Sequence, residues 1–269
     1  MTIIVRPSSL PTYPDCARRW AANHLRAMVT AAGYSLRQLG RQIGAAVGTA
    51  THAAAAAAFR ARKDGQPIGA DCEEAGMAAL DAEIEVAVGW DDTTPDRNTA
   101  QHQIRRQYRV YREAVIEKVE PLVIEGQVEA VRPSGVIVSG RTDLVIAAPV
   151  VLRDLKTGRA KRANGAQYGT YSRLLRSNGT PVTALIEDYV ARVAKGASQP
   201  HPEEIPYDIA ASEAQSEAIL RRIESDLRAF SATGEAEVFL ANPNSMLCSA
   251  RYCPAHGTGF CQVHRGAKP

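Results

Sequence analysis

The chain has 269 residues, of which 45% are apolar and 23% are charged, and its formal net charge at pH 7 is +3. This composition excludes a disordered or fibrous chain, and it predicts a globular protein with a sizeable core. The small net charge does not by itself argue for a nucleic-acid partner. No apolar run is long enough to span a bilayer and no secretory signal is visible, so we expect a cytoplasmic protein without a membrane partner.

The first third of the sequence is predicted to be helical. Apolar residues recur there at three- and four-residue spacing, with almost no proline. A turn-rich break at 89–98 precedes the last helix of this part. The predicted helices are 15–32, 36–63, 71–88 and 99–120. We therefore expect an N-terminal helical part over residues 1–120.

Short β-rich runs separated by turn residues begin at residue 122. Three of them form a predicted meander, and helices and further strands follow it. The predicted strands are 122–132, 135–147, 149–156, 183–193 and 204–209, and the predicted helices are 163–177 and 212–233. This order predicts an α/β core over residues 121–235. The tail, 236–269, is rich in Cys, His, Pro and Gly, and we expect it to pack on the N-terminal part within a single domain over 1–269.

Two carboxylates and an amine interrupt the apolar strands of this core. Asp154 and Lys156 are two residues apart in one predicted strand, so they share a face. Asp143 lies eleven residues before Asp154, and a hairpin at 147–149 would bring it opposite that pair. Two buried like charges are unfavourable unless a cation joins them, and carboxylates bind Mg²⁺ or Mn²⁺. A structural ion pair between Asp154 and Lys156 is the simpler alternative.

A divalent metal at this position would polarise a phosphoryl oxygen and acidify a bound water. Lys156 would orient that water or stabilise the charge that develops on the phosphate. These are the requirements of phosphodiester hydrolysis. The pattern therefore indicates a phosphodiesterase chemistry, provided that the three side chains meet.

Four short motifs together resemble the PD-(D/E)XK nuclease superfamily, and in particular its RecB-like branch. They are GTATH at 48–52, GRTD at 140–143, DLKTG at 154–158 and QYGTY at 167–171. The resemblance covers residues 8–261. It implies a PD-(D/E)XK restriction-endonuclease-like core, in which a mixed central sheet is flanked by helices, with an N-terminal helical region and a cysteine-held C-terminal tail.

The same resemblance implies roles for individual residues. The implied ligands of Mg²⁺ or Mn²⁺ are His52, Asp143, Asp154 and the main-chain carbonyl of Leu155. The implied catalytic set is Asp143, Asp154, Lys156, Gln167 and Tyr171. Glu125 resembles a glutamate that precedes the metal-binding strands. Taken alone, a histidine such as His52 in an alanine-rich helix is more often a packed or surface residue than a ligand. Gln167 and Tyr171 alone would indicate only an amphipathic helix.

The cysteines are unevenly distributed, because Cys248, Cys253 and Cys261 crowd into the tail. Clustered cysteines in a cytosolic protein indicate a metal before a disulfide. Some RecB-like nucleases, including those related to the CRISPR-associated adaptation exonuclease and the AddB nuclease domain, hold a [4Fe-4S] cluster with one cysteine before the nuclease motifs and three after. The resemblance implies that Cys16 completes the set. Zn²⁺, with His256 or His264 as a ligand, and unrelated thiols are the alternatives.

Three basic residues directly follow the DLKTG strand: Arg159, Lys161 and Arg162. They could grip phosphates that flank the scissile bond, and a solvated basic loop is an equally good interpretation. No base-reading motif accompanies them. The expected partner is therefore DNA, bound without sequence preference.

The resemblance implies a Mg- or Mn-dependent deoxyribonuclease, an exonuclease on single-stranded or end-opened DNA that serves recombination, replication or repair. It suits a nuclease of a phage or of a bacterial mobile element, with a recombination or replication protein or a second copy of itself as partner. One alternative is a catalytically silent, iron–sulfur DNA-end-binding module of a larger complex. Another is a sequence-specific, restriction-type endonuclease.

Overall fold

The structure, a computed structural model, describes residues 2–263, and the first third of the chain is mainly helical. Its helices are α1 (Ala17–His24), α2 (Arg26–Ala31), α3 (Ile43–Lys63), α4 (Ala70–Glu85) and α5 (Arg97–Tyr111). The single helix predicted over 15–32 is two helices, because the backbone of Leu25 leaves the helical region. The helix predicted over 99–120 is α5 followed by a π-helical turn, Arg112–Ile116.

The helix predicted over 36–63 begins instead at Ile43. The backbone of the preceding segment has other partners, which a helix would break. The Arg37 amide donates to the carbonyl of Pro254 at 2.9 Å, and Arg41–Gln42 pairs in parallel with Val88–Gly89. Contacts distant in sequence therefore override the local helical pattern.

Close packing against α4 explains the alanine content of α3. Ala46, Ala50, Ala54 and Ala58 recur every fourth residue, share one face and are fully buried. Gly76 of α4 lies against this face, where an added Cβ would come within 2.9 Å of the Ala50 carbonyl oxygen. Small side chains on both helices let the backbones approach, and α3 is thereby fixed above the sheet.

A six-stranded mixed sheet forms the centre of the molecule, and a two-stranded parallel sheet lies apart from it. The strands are β1 (Ile4–Val5), β2 (Arg41–Gln42), β3 (Val88–Gly89), β4 (Pro121–Val131), β5 (Ile137–Ile146), β6 (Val151–Gly158), β7 (Ala184–Ala191) and β8 (Glu203–Tyr207). β5 is antiparallel to both β4 and β6, as predicted for the meander. β7 is parallel to β6 and antiparallel to β8, and β1 is parallel to β5. The small sheet consists of β2 and β3.

Helices cover both faces of the central sheet. Two further helices, α6 (Gly165–Ser177) and α7 (Ile209–Thr233), share a core with Val145 and Leu152. On the opposite face, α3 and α5 share a core with Leu144 and Leu155. The alternation along β5 and β6 follows the period of two of a strand. The predicted α/β class, with a mixed central sheet flanked by helices, is confirmed.

The last described segment, residues 242–263, consists of turns without helix or strand. The segments before and within it are tied to the N-terminal part of the chain. The Arg18 amide donates to the Leu240 carbonyl at 3.1 Å, and the Phe260 ring packs edge-on against Tyr34 with centroids 5.1 Å apart. His264, an alternative zinc ligand, lies outside the described residues. Between residues 2 and 263, no helix is both long and apolar enough to cross a membrane.

Candidate active site

The register of the central hairpin sets Asp143 beside Asp154. In the antiparallel pairing of β5 with β6, Ile146 lies opposite Val151 and Leu144 lies opposite Arg153. The next residue on each strand is an aspartate, so Asp143 faces Asp154. The Asp143 carboxylate accepts a hydrogen bond from the Leu155 amide at 3.0 Å. Lys156 Nζ lies 2.5 Å from Asp154 Oδ2. The three side chains that the sequence singled out are therefore neighbours.

His52 reaches the same place from α3. Its Nδ1 lies 3.3 Å from Asp143 Oδ2. One helical turn earlier, Gly48 lies against β6, where an added Cβ would come within 2.9 Å of Thr157 Oγ1. The glycine of GTATH thus allows the close approach of helix and strand that brings His52 to the aspartates.

Three of these four side chains are accessible from outside. Asp154 is only 2% exposed, whereas the side chains of His52, Asp143 and Lys156 are 29%, 30% and 28% exposed. A cavity of about 270 Å³, open to solvent, is lined by His52, Ala55, Ala56, Phe59, Tyr111, Glu125, Asp143, Leu144 and Leu155. A ligand can therefore reach Asp143 and His52 while Asp154 anchors the site from beneath.

Burial and neighbouring charges separate the pKa values of the two aspartates. Burial, together with the nearby Asp143, raises the pKa of Asp154 to about 6, against the opposing effect of Lys156. Burial also acts to raise the pKa of Asp143, but the charges of His52 and Lys156 outweigh it, and this pKa lies below its ordinary value. The pKa values of His52 and Lys156 are raised, because the carboxylates outweigh the effect of burial. The paired carboxylates thus depend on positive charge beside them.

α6 supports the aspartates with buried side chains. Gln167 Nε2 donates to Asp154 Oδ1 at 3.1 Å, and the Tyr171 hydroxyl donates to the Arg141 carbonyl at 2.9 Å. Gln167 and Tyr171 are 3% and 4% exposed. They therefore contact the two strands that carry the aspartates, and are too deeply buried to lie on a surface that meets DNA.

Two residues that the sequence interpretation did not select also contact Asp154 or its surroundings. The Tyr168 hydroxyl lies 3.3 Å from Asp154 Oδ2 and 2.8 Å from Glu187 Oε2. Glu187 is fully buried and lies opposite Asp154 in the parallel register of β6 and β7. In the sequence, Glu187 could be noticed as an acidic residue inside the apolar strand LIEDYV. Its spacing from Asp154 did not indicate that the two residues are neighbours.

Glu125 lines the cavity from β4. It lies between Ile124 and Gly126, whose partners flank Asp143 on β5. Its φ of +48° is unusual for a residue with a side chain, which marks a local distortion of the strand. Its carboxylate is held by Arg60 at 2.6 Å. Glu125 is thus placed beside Asp143, with its charge balanced by an arginine of α3.

The basic residues that follow β6 lie in an exposed loop. Lys161 pairs with Glu203 at 2.5 Å and lies over the Tyr189 ring. Arg159 and Arg162 are exposed. The loop leaves the sheet two residues after Lys156, and all three members of the predicted DNA-binding set are exposed there, with Lys161 engaged by Glu203.

Four cysteines line a second cavity, which shares no lining residue with the cavity beside the aspartates. This cavity, of about 320 Å³ and open to solvent, is lined by Cys16, Arg19, Ala241, Asn242, Pro243, Ser245, Cys248, Cys253, His256, Cys261 and Val263. Two backbone amides, of Arg19 and Asn242, donate to Cys16 Sγ at 3.4 Å each. Burial raises the pKa of Cys253 to about 11, with further contributions from the neighbouring thiols. Cys72 packs elsewhere, in the core under α3 and α5.

The donors at the aspartate site suit a hard divalent cation. Asp143 and Asp154 supply carboxylates, His52 supplies a ring nitrogen, and Glu125 lies on the same cavity. In the structure these groups bond to one another, to Lys156 and to Arg60. Within residues 2–263, no three His, Cys, Asp or Glu side chains are already arranged to hold a metal ion. By the chemistry of its donors, the site fits Mg²⁺ or Mn²⁺.

The mixed sheet carries Asp143 and the D-x-K of Asp154 and Lys156 on adjacent strands, as the motifs predicted. The sequence profile of the PD-(D/E)XK nuclease superfamily matches residues 5–258. The chain therefore belongs to the PD-(D/E)XK nuclease superfamily. A nuclease of this superfamily acts on DNA and typically uses Mg²⁺ or Mn²⁺. The superfamily predicted from the motifs is confirmed.

Solved structures give a likeness in fold. A putative exonuclease from Eubacterium rectale is similar over 90% of this chain and 86% of its own, with 10% sequence identity and a TM-score of 0.56. At that identity the likeness shows the fold alone. The structure of SSO0001 aligns over 86% of this chain and 84% of its own, with 12% sequence identity and a TM-score of 0.33. No curated protein matches the sequence.

Proposed function

We propose that this protein is a metal-dependent deoxyribonuclease of the RecB-like branch, which digests single-stranded or end-opened DNA from its ends. The observation that carries the proposal is the convergence of His52, Asp143, Asp154 and Lys156, of which His52 and Asp143 line a solvent-open cavity. A binding protein needs basic residues, but it has no use for this complete set. The superfamily match supports the chemistry, and the order of GTATH, GRTD, DLKTG and QYGTY supports the branch.

The proposed ligands of Mg²⁺ or Mn²⁺ are His52, Asp143, Asp154 and the main-chain carbonyl of Leu155. When bound, the cation supplies polarisation of a phosphoryl oxygen and a lowered pKa for water. Lys156, with its raised pKa, remains cationic, so it orients the attacking water and stabilises negative charge on the phosphate. The substrate approaches from the open side, because Asp154 and α6 close the other.

Gln167 and Tyr171 act as positioning residues in this proposal. Gln167 fixes the rotamer of Asp154 through its hydrogen bond to Oδ1. Tyr171 ties α6 to the β5 backbone two residues before Asp143. Such outer contacts orient metal ligands without touching the metal. They explain why a Gln and a Tyr one helical turn apart accompany the D-x-K strand.

Arg159 and Arg162 are the proposed phosphate contacts of the substrate strand. Both are exposed and follow the end of β6, the strand that carries Lys156, and this position suits neutralisation of the phosphates that flank the scissile bond. Lys161 contributes less, because its ammonium is engaged with Glu203. The absence of base-reading motifs in the sequence supports binding without sequence preference.

Digestion of linear and circular single-stranded DNA of equal length, in Mn²⁺, tests the exonuclease proposal. The expected result is degradation of the linear molecule alone, with a ladder of end-labelled products that gives the polarity. Cleavage of the circular molecule would contradict the exonuclease proposal and would indicate an endonuclease. Tight binding of DNA ends without any cutting would favour the alternative of a silent module in a larger complex.

The four-cysteine cavity is proposed to hold a [4Fe-4S] cluster that joins the N-terminal helical part to the tail. Four thiols on one cavity and amide hydrogen bonds to Cys16 Sγ support this assignment. His256 on the same cavity keeps Zn²⁺ as the alternative. Iron and acid-labile sulfide are expected in anaerobically purified protein, and they should persist in the matched variant Cys72→Ala. Zinc without sulfide would overturn the cluster.

A further inference from the structure

This inference rests on the proposed function, in which Asp154 is a metal ligand. The metal ion and the ammonium of Lys156 would then compete for the Asp154 carboxylate. In the structure its Oδ2 holds Lys156 Nζ at 2.5 Å, and its Oδ1 accepts from Gln167. Oδ2 is therefore occupied by a cation that belongs to the chain. A divalent ion at this oxygen would compete with the ammonium of Lys156, whose side chain is 28% exposed, and a displaced ammonium would be stabilised by another anion on the same face of the sheet.

Glu187 is such a partner, and part of it is unused. Its Oε2 accepts hydrogen bonds from Tyr168 at 2.8 Å, from Asn164 at 2.8 Å and from Tyr207 at 3.1 Å. Its Oε1 is buried, and no described residue donates a hydrogen bond to it. A buried carboxylate oxygen without a donor is costly, so its retention calls for a use.

The strand register places Glu187 diagonally across from Lys156 on the neighbouring strand. Asp154 and Glu187 are opposite each other on parallel strands, and Lys156 is two residues beyond Asp154 on the same face. The Lys156 ammonium already lies over the Tyr168 ring, 5.9 Å from its centroid, and the hydroxyl of that ring is bonded to Glu187. A side-chain rotation of Lys156 along this ring leads from one carboxylate to the other.

The adjacent residue provides a contrast. Asp188 is equally buried, but both of its oxygens are bonded by Arg153 on the opposite face of the sheet, at 3.0 Å and 2.5 Å. Of the two neighbouring acidic residues on β7, only Glu187 shares the face of the D-x-K side chains and retains an oxygen without a donor among the described residues. The buried charge of Asp188 is balanced by its ion pair with Arg153. No such pair accounts for the buried carboxylate of Glu187.

We propose that Glu187 is a positioning residue for Lys156: it receives the ammonium when Asp154 binds the metal, and so couples metal loading to the placement of the catalytic lysine. Tyr168 holds Glu187 in place through the hydrogen bond to Oε2. The site then has two arrangements, one with Lys156 on Asp154 and one with Lys156 on Glu187. The metal ion selects the second arrangement because it competes for Asp154.

A double-mutant cycle on Mn²⁺ affinity, followed by electron paramagnetic resonance without DNA, tests the coupling. Glu187→Gln is expected to weaken Mn²⁺ binding about tenfold in the wild-type background, because displaced Lys156 loses its acceptor. In the Lys156→Ala background, where nothing needs displacing, the same change is expected to weaken binding about twofold or less. Lys156→Ala alone should tighten binding. Equal fold-changes in the two backgrounds would overturn the proposal.

Two further variants keep the outcome decisive. Glu203→Gln removes a charge from the next strand, and it is expected to leave Mn²⁺ affinity within about twofold in both backgrounds. If Glu187→Gln fails to fold, Glu187→Asp keeps the charge but draws it back from Lys156, and it should show the same dependence on background. Wild-type protein that binds no Mn²⁺ would reject the proposed metal site itself, whereas binding without coupling would reject only the role of Glu187.

Discussion

The aspartate site and the cysteine cavity are built in different ways. The aspartate site takes its side chains from regular elements: Asp143 and Asp154 from paired strands, and His52 and Gln167 from helices. The cysteine cavity takes three of its four thiols from turns, and only Cys16, the N-cap of α1, begins a regular element. The side chains of a site on strands and helices are held in place by the packed core. The geometry of a site built from turns depends instead on the group that its side chains bind. Substitution of a proposed metal ligand at the aspartate site should therefore lower the cleavage rate. Substitution of a cysteine should lower the stability of the fold.

The largest expected effect is on catalysis at the aspartate site. Asp143→Asn keeps the shape of the side chain but removes the charge that pairs with His52, and cleavage in Mn²⁺ should fall roughly 10²- to 10³-fold. The melting temperature and the iron content should stay close to wild type, because β5 is held by its neighbours. Asp92→Asn, on an exposed aspartate, is the matched control in a single-turnover assay. Loss of iron in Asp143→Asn would show that the two sites are not separate.

Cys248→Ala should have the opposite profile. We expect loss of the proposed cluster and a melting temperature lowered by about 10 °C, since the turns of the tail lose their anchor. Cleavage by the protein that remains folded should change by less than about threefold. Metal analysis and calorimetry against Cys72→Ala check this, because Cys72 packs in the core away from the cavity. Unchanged stability would contradict a structural role for the cysteines.

Gln167→Leu should have a smaller effect on chemistry. It removes the hydrogen bond to Asp154 Oδ1 and leaves the proposed ligand itself, so the turnover number is expected to fall about 10- to 100-fold. DNA affinity should be unaffected, since Gln167 is buried. The exposed Gln215→Leu is the matched variant. A change confined to KM would contradict a positioning role and would indicate contact with the substrate.

The smallest expected effect concerns the scaffold beneath the aspartate site. Arg132, just after β4, donates to Glu217 and Glu224 of α7 at 2.7–3.2 Å and lowers the pKa of Glu217 from 4.5 to about 2. A lowered folded-state pKa contributes stability above the unfolded value, and this contribution is lost as the pH falls from about 4.5 towards 2. Arg132→Met should therefore cost about 1–3 kcal/mol at pH 7.

Denaturant unfolding of both proteins across pH measures this contribution. The stability gap between wild type and Arg132→Met should narrow steadily as the pH falls from about 4.5 towards 2. Activity at neutral pH should change little, because the Arg132 guanidinium pairs with Glu217 and Glu224 of α7. A difference in the free energy of unfolding that stays constant over this range would contradict the charge interaction. It would mean that Glu217 and Glu224 stabilise the fold through packing alone.

Much of the aspartate site could be predicted because its spacing is local. Asp154 and Lys156 share a face by the period of a strand, and the short turn after β5 fixes which residue of that strand meets them. Gln167 and Tyr171 follow from one helical turn. The motifs also named His52 together with Asp143, and its Nδ1 lies 3.3 Å from Asp143 Oδ2, although no spacing rule connects α3 to β5.

Other features depended on contacts that no local pattern encodes. The start of α3 at Ile43 follows from the bond between Arg37 and Pro254 and from the β2–β3 pairing. Glu187 was missed because its relation to Asp154 rests on the parallel register of β6 with β7, strands separated by a whole helix. Sequence spacing measures separation along the chain, so it cannot report which strand lies next to which.

The most direct test of the central claim is cleavage of end-labelled single-stranded DNA in Mn²⁺ by three proteins: wild type, Lys156→Ala and Lys118→Ala. Lys118 is an exposed lysine that follows α5 and its π-helical turn, so it controls for loss of charge. We predict a ladder of shortened products with wild type and Lys118→Ala, and intact substrate with Lys156→Ala. Equal cutting by all three proteins would contradict the assignment of the active site.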